Sequence, residues 1–501
     1  MTRFKPIRFL SLFLLAIFAM TSCSGPKGGN VCKVNCGGGG TANLSFTMVA
    51  DTLPTTPSLL NFEVVVLGVT VTSSTSTKTL TPSSAPIDLM RLQSDSAFLG
   101  TLTSVPSETI SSLTVALSSQ KMTIFNDTGV ALTSPACPVN AICTFNPNAV
   151  GSVLINNVNQ TFSSNTGLGL DFNLASAVTV TGTTLNVNFS PASGSVLTEF
   201  TLPRAGSNLT SGQLDLIEDV TGVATVSGQN ATIKNPLTNA SLTAAATSST
   251  VFDTDPADTL CPTSAQQTLA TCVSNNQIAS MDVIVNSDGT TSIREIEPLL
   301  ATQQDVVEGI VAAINSGSST QFTLIVTDML PAASNSLIGN GLLSDGDGLT
   351  VNLVNASNFL IDTKGLDLSA FTGNTNTFTT ANNTGALHLG QRVAVHVTQF
   401  TGPSGTTLAS VNADALTLRW SRFAASVSST GTPAFNITAL PSYFLVSGAP
   451  QVQTFNQTSL DGITSTGNLS SSLPVYIRAL YIENSGFSLQ PAFYAAKVRQ
   501  H

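Results

Sequence analysis

Apolar and polar residues alternate over short stretches along most of this chain, and Gly, Pro, Asn or Ser closes each stretch. Asn43–Met48 alternates strictly, which places one face of a strand against a core. Phe62–Val71 is longer and almost continuously apolar, with Gly68 as an interruption, and reads as a bulged strand or a strand pair. Leu113–Leu117, Met122–Phe125, Val153–Ile155, Leu168–Phe172 and Ala177–Thr181 follow in the same manner. No segment keeps a 3.6-residue apolar period over several turns. Many short strands with frequent turn signals predict a β-sandwich over 41–204.

After Arg204 the pattern repeats. Val220–Val226, Val307–Ile314 and Arg422–Val427 each open a unit. Each leads through a polar turn to a second apolar stretch, at Ala231–Ile233, Phe322–Val326 and Phe435–Leu440. Each unit closes with a hairpin, built on Ser280–Val285, Arg392–Val397 and Val475–Tyr481. Asp288-Gly289 and Ser485-Gly486 supply the positive φ that tight hairpins need. Self-similarity of this kind defines an architecture. It predicts three small barrels near 211–300, 301–418 and 419–501, the middle one enlarged through Ser344–Gly348 and Asn374–Asn383.

Two sets of residues carry resemblances. Asp51–Pro54, Pro86–Leu89 and Leu170–Val178 resemble a bacterial lipoprotein domain family of unknown function, which implies a prealbumin-like sandwich. Leu389–Val395 resembles the Gly-x-x-Val-x-Val step of small OB-like repeat domains found downstream of that family. The expected fold class is therefore all-β: an N-terminal β-sandwich followed by about three OB-like β-barrel repeats.

The N-terminus has a different pattern. Arg3, Lys5 and Arg8 precede the apolar run Phe9–Met20, which is too short for a membrane helix and suits a signal peptide over 1–22. Met20-Thr21-Ser22-Cys23 resembles the lipobox of bacterial lipoproteins. That resemblance implies lipidation at Cys23 and, with Ser24 following, an outer-membrane address in the cell envelope. Residues 23–40 contain Gly28-Gly29 and Gly37–Gly40 and read as a flexible tether. The modules are expected to follow one another outward from this anchor.

Charge narrows the partners. The chain has 18 Lys and Arg against 28 Asp and Glu; removing residues 1–22 takes away three basic and no acidic residues and leaves −13. Nucleic acid needs a basic face, so it is excluded. Charged residues are only 9% of the chain, well under the roughly 25% of average domains, and Ser, Thr, Asn and Gly replace them. Besides Cys23 there are Cys32, Cys36, Cys137, Cys143, Cys261 and Cys272. In an oxidising envelope an even count reads as disulfides, with the three local pairs favoured among the connectivities that spacing leaves open.

Candidate chemistry is sparse. His388 and His396 have no Gly-x-Ser-x-Gly elbow to serve and read as surface or edge residues. Asp253, Asp255, Asp258, Asp345 and Asp347 bunch oxygens that calcium could accept, but neither run completes an Asp-x-Asp-x-Asp-Gly register with a later Glu. Turn-rich loops explain them, and no metal or cofactor is expected. Glu295 and Glu297 share a strand face and read as solvated. Trp420 and the four tyrosines Tyr443, Tyr476, Tyr481 and Tyr494 read as barrel core rather than a sugar-stacking platform. The expectation is a membrane-anchored, non-catalytic binding or scaffolding protein whose partner is a glycan or an envelope protein. The alternatives are an exported hydrolase of polysaccharide or peptide, and a structural spacer.

Overall fold

The computed structural model describes residues 40–501 except 192–194, 236–237, 253–260, 262–266, 299–304, 333–334, 364–365, 370–371, 445–448 and 484–490. The first part is a sandwich of two sheets. One runs Leu197–Leu202, Thr166–Asn173, Thr41–Thr52, Ala97–Pro106, with a parallel pair at its centre. The other runs Val150–Thr161, Thr109–Phe125, Ser58–Ser73, Thr77–Leu80. Leu44, Phe46 and Met48 of the first sheet share one core with Phe62, Val64, Leu113, Val115 and Leu117 of the second. Period-2 alternation along each strand produces this inner face. Phe46, Phe62 and Phe172 are wholly buried, each contributing about 1.5–3 kcal/mol relative to exposure.

The strands after the sandwich form three five-stranded rings with one topology, the third closed by a short pairing of Val452 with Phe493 and carrying a sixth strand, Ser459–Asp461. The first uses Gln213–Ser227, Asn230–Lys234, Ser241–Phe252, Ile278–Asn286 and Thr291–Pro298. The second uses Asp305–Ile314, Gln321–Leu330, Gly348–Ile361, Arg392–Thr401 and Ala409–Arg419. The third uses Ser421–Ser429, Ala434–Thr438, Gln451–Gln453, Pro474–Glu483 and Pro491–Arg499. In each, strands pair in the order first, second, third, fifth, fourth and back to first. The third–fifth pair is parallel every time: Ala245 beside Ser292, Leu349 beside Ala409, Val452 beside Phe493. This is the five-stranded Greek-key connectivity of OB-like barrels, so the all-β expectation of a sandwich and small barrels describes the molecule.

A repeated glycine explains a shared bend. Gly222 and Gly309 occupy equivalent places in the opening strands Val220–Val226 and Val307–Ile314. A Cβ on Gly222 would lie 2.4 Å from the Lys234 carbonyl oxygen, and one on Gly309 would lie 2.1 Å from that of Ile325. The opening strand therefore crosses its neighbour at a distance only a residue without a side chain allows.

The barrels do not extend away from the sandwich as a row of modules. Residues 40–501 form one compact unit. Leu480, Ile482, Tyr494 and Ala496 of the third barrel lie in the core of the second, and Leu60 of the sandwich lies in the core of the third. Pro474–Glu483 is apolar on both faces because it is buried on both. Its Ile477 and Tyr481 fill its own barrel, and Leu480 and Ile482 fill the neighbouring one.

Candidate functional site

The scarce charges gather where the four domains meet. Asp219 of the first barrel accepts hydrogen bonds from Arg422 and, at 2.8 Å, from Arg478, both of the third barrel. Glu218 beside it pairs with Lys497 and with Arg478 at 3.2 Å. Arg91 of the sandwich donates to the Asp219 carbonyl at 3.1 Å and reaches Asp328 of the second barrel at 3.4 Å. Asp95 accepts from the Glu218 backbone N–H at 2.9 Å. Asp51 pairs with Arg499, whose guanidinium also donates to the Gln93 carbonyl, and Tyr476 donates to the Asp51 carbonyl. Arg422, Arg478, Lys497, Arg499, Glu218 and Asp219 are all under 10% exposed. Buried charges survive only when paired and hydrogen-bonded, and this junction pairs them across domains.

The electrostatics follow from burial and company. Burial alone would raise Glu308, but Arg392, Arg419 and Arg91 more than offset it and hold its carboxyl at about 2. Burial, with the like charges of Arg392, Arg91 and Arg478, pushes Arg422 well below the usual arginine range. Burial and Glu218 raise Asp95, and burial and Glu218 raise Asp282.

A cleft of about 790 Å³ opens beside this junction, between the sandwich edge, the first barrel and the third. The sandwich contributes Phe200, Leu202 and Arg204; the first barrel contributes Gln213, Asp215, Ser292 and Arg294; the third contributes Gln457–Asp461, Lys497 and Arg499. Phe200 is seated over Gly169, where a Cβ would fall 2.0 Å from its ring, and the Arg204 guanidinium lies 4.0 Å from the ring centroid. Arg204 also pairs with Asp51. The third barrel is joined to this edge by the Gly462 N–H donating to the Gly206 carbonyl at 3.0 Å. Burial raises Asp215, only partly countered by hydrogen bonds and Lys497. Burial also acts on Asp461, but the His501 hydrogen bond and the cations Lys497 and Arg499 outweigh it and lower its pKa.

A second cavity of about 240 Å³ lies between the sandwich and the first two barrels, lined by Asp88, Asp328 and Asp345. Burial raises Asp345, reinforced by Asp328, Glu63 and Asp88. Glu63 is pushed up to about 7 by burial and Asp88, against the pull of Lys121.

The residues singled out by sequence are distributed elsewhere. Cys23, Cys32, Cys36, Asp253, Asp255 and Asp258 lie outside the described residues. Cys137 is bonded to Cys143, and Cys261 to Cys272. Asp347 pairs with Lys121 at 2.9 Å and accepts from Ser344, while Asp345 belongs to the second cavity. Among the described residues no group of three or more His, Cys, Asp or Glu is placed to hold a metal ion.

His396 is half-buried and pairs with Asp414, and His388 lies with its ring 5.5 Å from that of Tyr481. His396 is held by a strand of its own barrel, and His388 by a residue of the third barrel. Glu295 and Glu297 are half-buried rather than solvated, since the first barrel's hairpin faces the junction. Trp420, Tyr443, Tyr481 and Tyr494 are buried in barrel cores, whereas Tyr476 is buried at the junction with the sandwich.

The sequence reading passed over Arg204, Arg294, Lys497, Arg499, Asp215 and Asp461. One signal was present: Arg422, Arg478 and Lys497 each interrupt an apolar strand, which is where a paired buried charge belongs. Among the described residues no helix is long and apolar enough to cross a membrane. No protein-family model and no curated protein matches the chain.

Proposed function

We propose that this chain is a lipid-anchored, non-catalytic binding protein of the bacterial cell envelope, and that the cleft beside the ionic junction takes a glycan. The observation that carries the reading is the lining of that cleft. Ser207, Asn208, Gln213, Ser249, Ser292 and Gln457 offer hydroxyl and amide groups over a concavity large enough for several sugar rings. Arg204, Lys497 and Arg499 are held in ion pairs with Asp51 and Glu218, so the wall is pre-organised and little ordering accompanies binding. The lipobox-like Met20–Cys23 and the glycine-rich tether support attachment to a membrane.

A glycan array probed with the purified protein tests the reading, with Gln457→Trp as the plugged control. A saccharide retained by the wild type and lost by the variant is expected. Absence of any saccharide ligand, or equal retention by the plugged variant, overturns it. Mass spectrometry of the mature N-terminus tests anchoring, and an unmodified Cys23 refutes it.

A hydrolytic reading has one observation in its favour. Asp215 is raised and Asp461 lowered on the same cleft, and carboxyls pushed apart in this way are how an acid and a base are assigned. Release of reducing ends from a bound saccharide, abolished by Asp215→Asn, would establish it in place of simple binding.

A further inference from the structure

We infer that the cleft selects an acidic saccharide, and that Arg294 is the residue that reads its carboxylate. The inference rests on the saccharide reading of the cleft and adds the charge class of the ligand. Four cations line the cleft, Arg204, Arg294, Lys497 and Arg499, against two carboxylates, Asp215 and Asp461. Asp51 and Glu218 pair with three of these cations, which leaves Arg294 as the one without a carboxylate partner among the described residues.

The cations differ in what they have left to offer. Arg204 and Arg499 share Asp51, and Lys497 is engaged by Glu218. Those carboxylates balance their charge, and they are not free to turn toward a ligand. Arg294 is different. It is exposed, it stands on Thr291–Pro298 in the cleft wall, and among the described residues it has no ion pair or hydrogen bond. Its planar guanidinium has the fork that matches a carboxylate with two parallel hydrogen bonds.

The surrounding hydroxyl and amide groups supply the remaining complementarity. A uronic-acid saccharide carries both parts: a hydroxyl-rich ring body and one carboxylate per residue. Arg294 makes the direct contact with that carboxylate. An electrostatic contribution of this kind weakens with ionic strength, since the mouth of the cleft is open to solvent.

Titration calorimetry of the full chain tests this with a short oligogalacturonide and the same oligomer with its carboxyls reduced to alcohols. The acidic oligomer is expected to bind about tenfold or more tighter than the reduced one at low salt. Arg294→Gln is expected to bring the acidic oligomer down to the level of the reduced one and leave the reduced one unchanged. This variant removes a side chain that no described contact needs for folding. Equal binding of the two oligomers, or unchanged acidic binding by Arg294→Gln, overturns the inference and leaves the saccharide reading standing. Failure of both oligomers to bind overturns the inference, and with an empty glycan array it removes the saccharide reading too.

Discussion

Arg478 of the third barrel reaches Asp219 of the first across 2.8 Å, with both side chains buried. More than two hundred and fifty positions separate them in sequence, so this contact exists only if the first and third barrels fold against each other. Asp219 also takes Arg422, and its backbone carbonyl takes Arg91 of the sandwich. One residue of the first barrel therefore binds both the third barrel and the sandwich.

Asp219→Ala leaves the buried Arg422 without this carboxylate and Arg478 with Glu218 alone. Breaking a buried pair from one side costs about 3–5 kcal/mol. Denaturant unfolding is expected to show a lower midpoint by that amount with an unchanged slope. A loss below about 1 kcal/mol, the value of an exposed pair, would mean the junction is solvated.

The single tryptophan provides a direct check on the interlocked arrangement. Trp420 is 2% exposed and sits between the last strand of the second barrel and the first of the third. Its emission is expected to be blue-shifted and poorly quenched by acrylamide. On unfolding, its transition is expected to coincide with that of the sheet signal in circular dichroism. A tryptophan transition well before the sheet transition would describe independent modules.

One carboxyl of the sandwich predicts a pH dependence. Glu63 is raised from 4.5 to about 7 by burial and Asp88, so the folded state binds a proton more tightly than the unfolded chain does. Its contribution favours the folded state below about 4.5 and is lost as pH rises through about 7. Thermal melts are expected to show stability falling between those values, and Glu63→Gln is expected to flatten that segment. Glu308 acts in the opposite sense, at the acid end: held at about 2, it adds stability above 4.5 that is lost as pH falls toward 2.

Gly309→Ala places a Cβ against the Ile325 carbonyl, where backbone must move to accommodate it. A destabilisation of about 1–3 kcal/mol is expected, as for other overpacked sites. Gly169→Ala is expected to displace Phe200, weakening saccharide binding as well as stability, because Phe200 lines the cleft and also packs against the core of the first barrel. Melting temperature and calorimetric affinity separate the two.

Much of the fold was legible because strands announce themselves locally. The alternation in Asn43–Met48 and Leu113–Leu117 needs only neighbours to read, and the three opening strands show their kinship by eye. The candidate site was not legible for the opposite reason. Arg204, Arg294 and Lys497 come from three distant segments, and nothing near any of them in sequence names the others. The near-continuous apolar run Val475–Tyr481 was a partial clue, since a strand on a barrel standing alone would show a polar outer face.

Local spacing alone therefore accounts for the all-β class and the tripled barrel pattern, because side-chain period and turn chemistry act over a few residues. Tertiary structure decided the packing of the domains into one body, the pairing of Asp219 with Arg478, and the cleft between sandwich and barrels. Those rest on a different physics. A chain with few charges can bury them only where opposite signs from separate domains arrive together, and which ones arrive is a property of the folded chain as a whole.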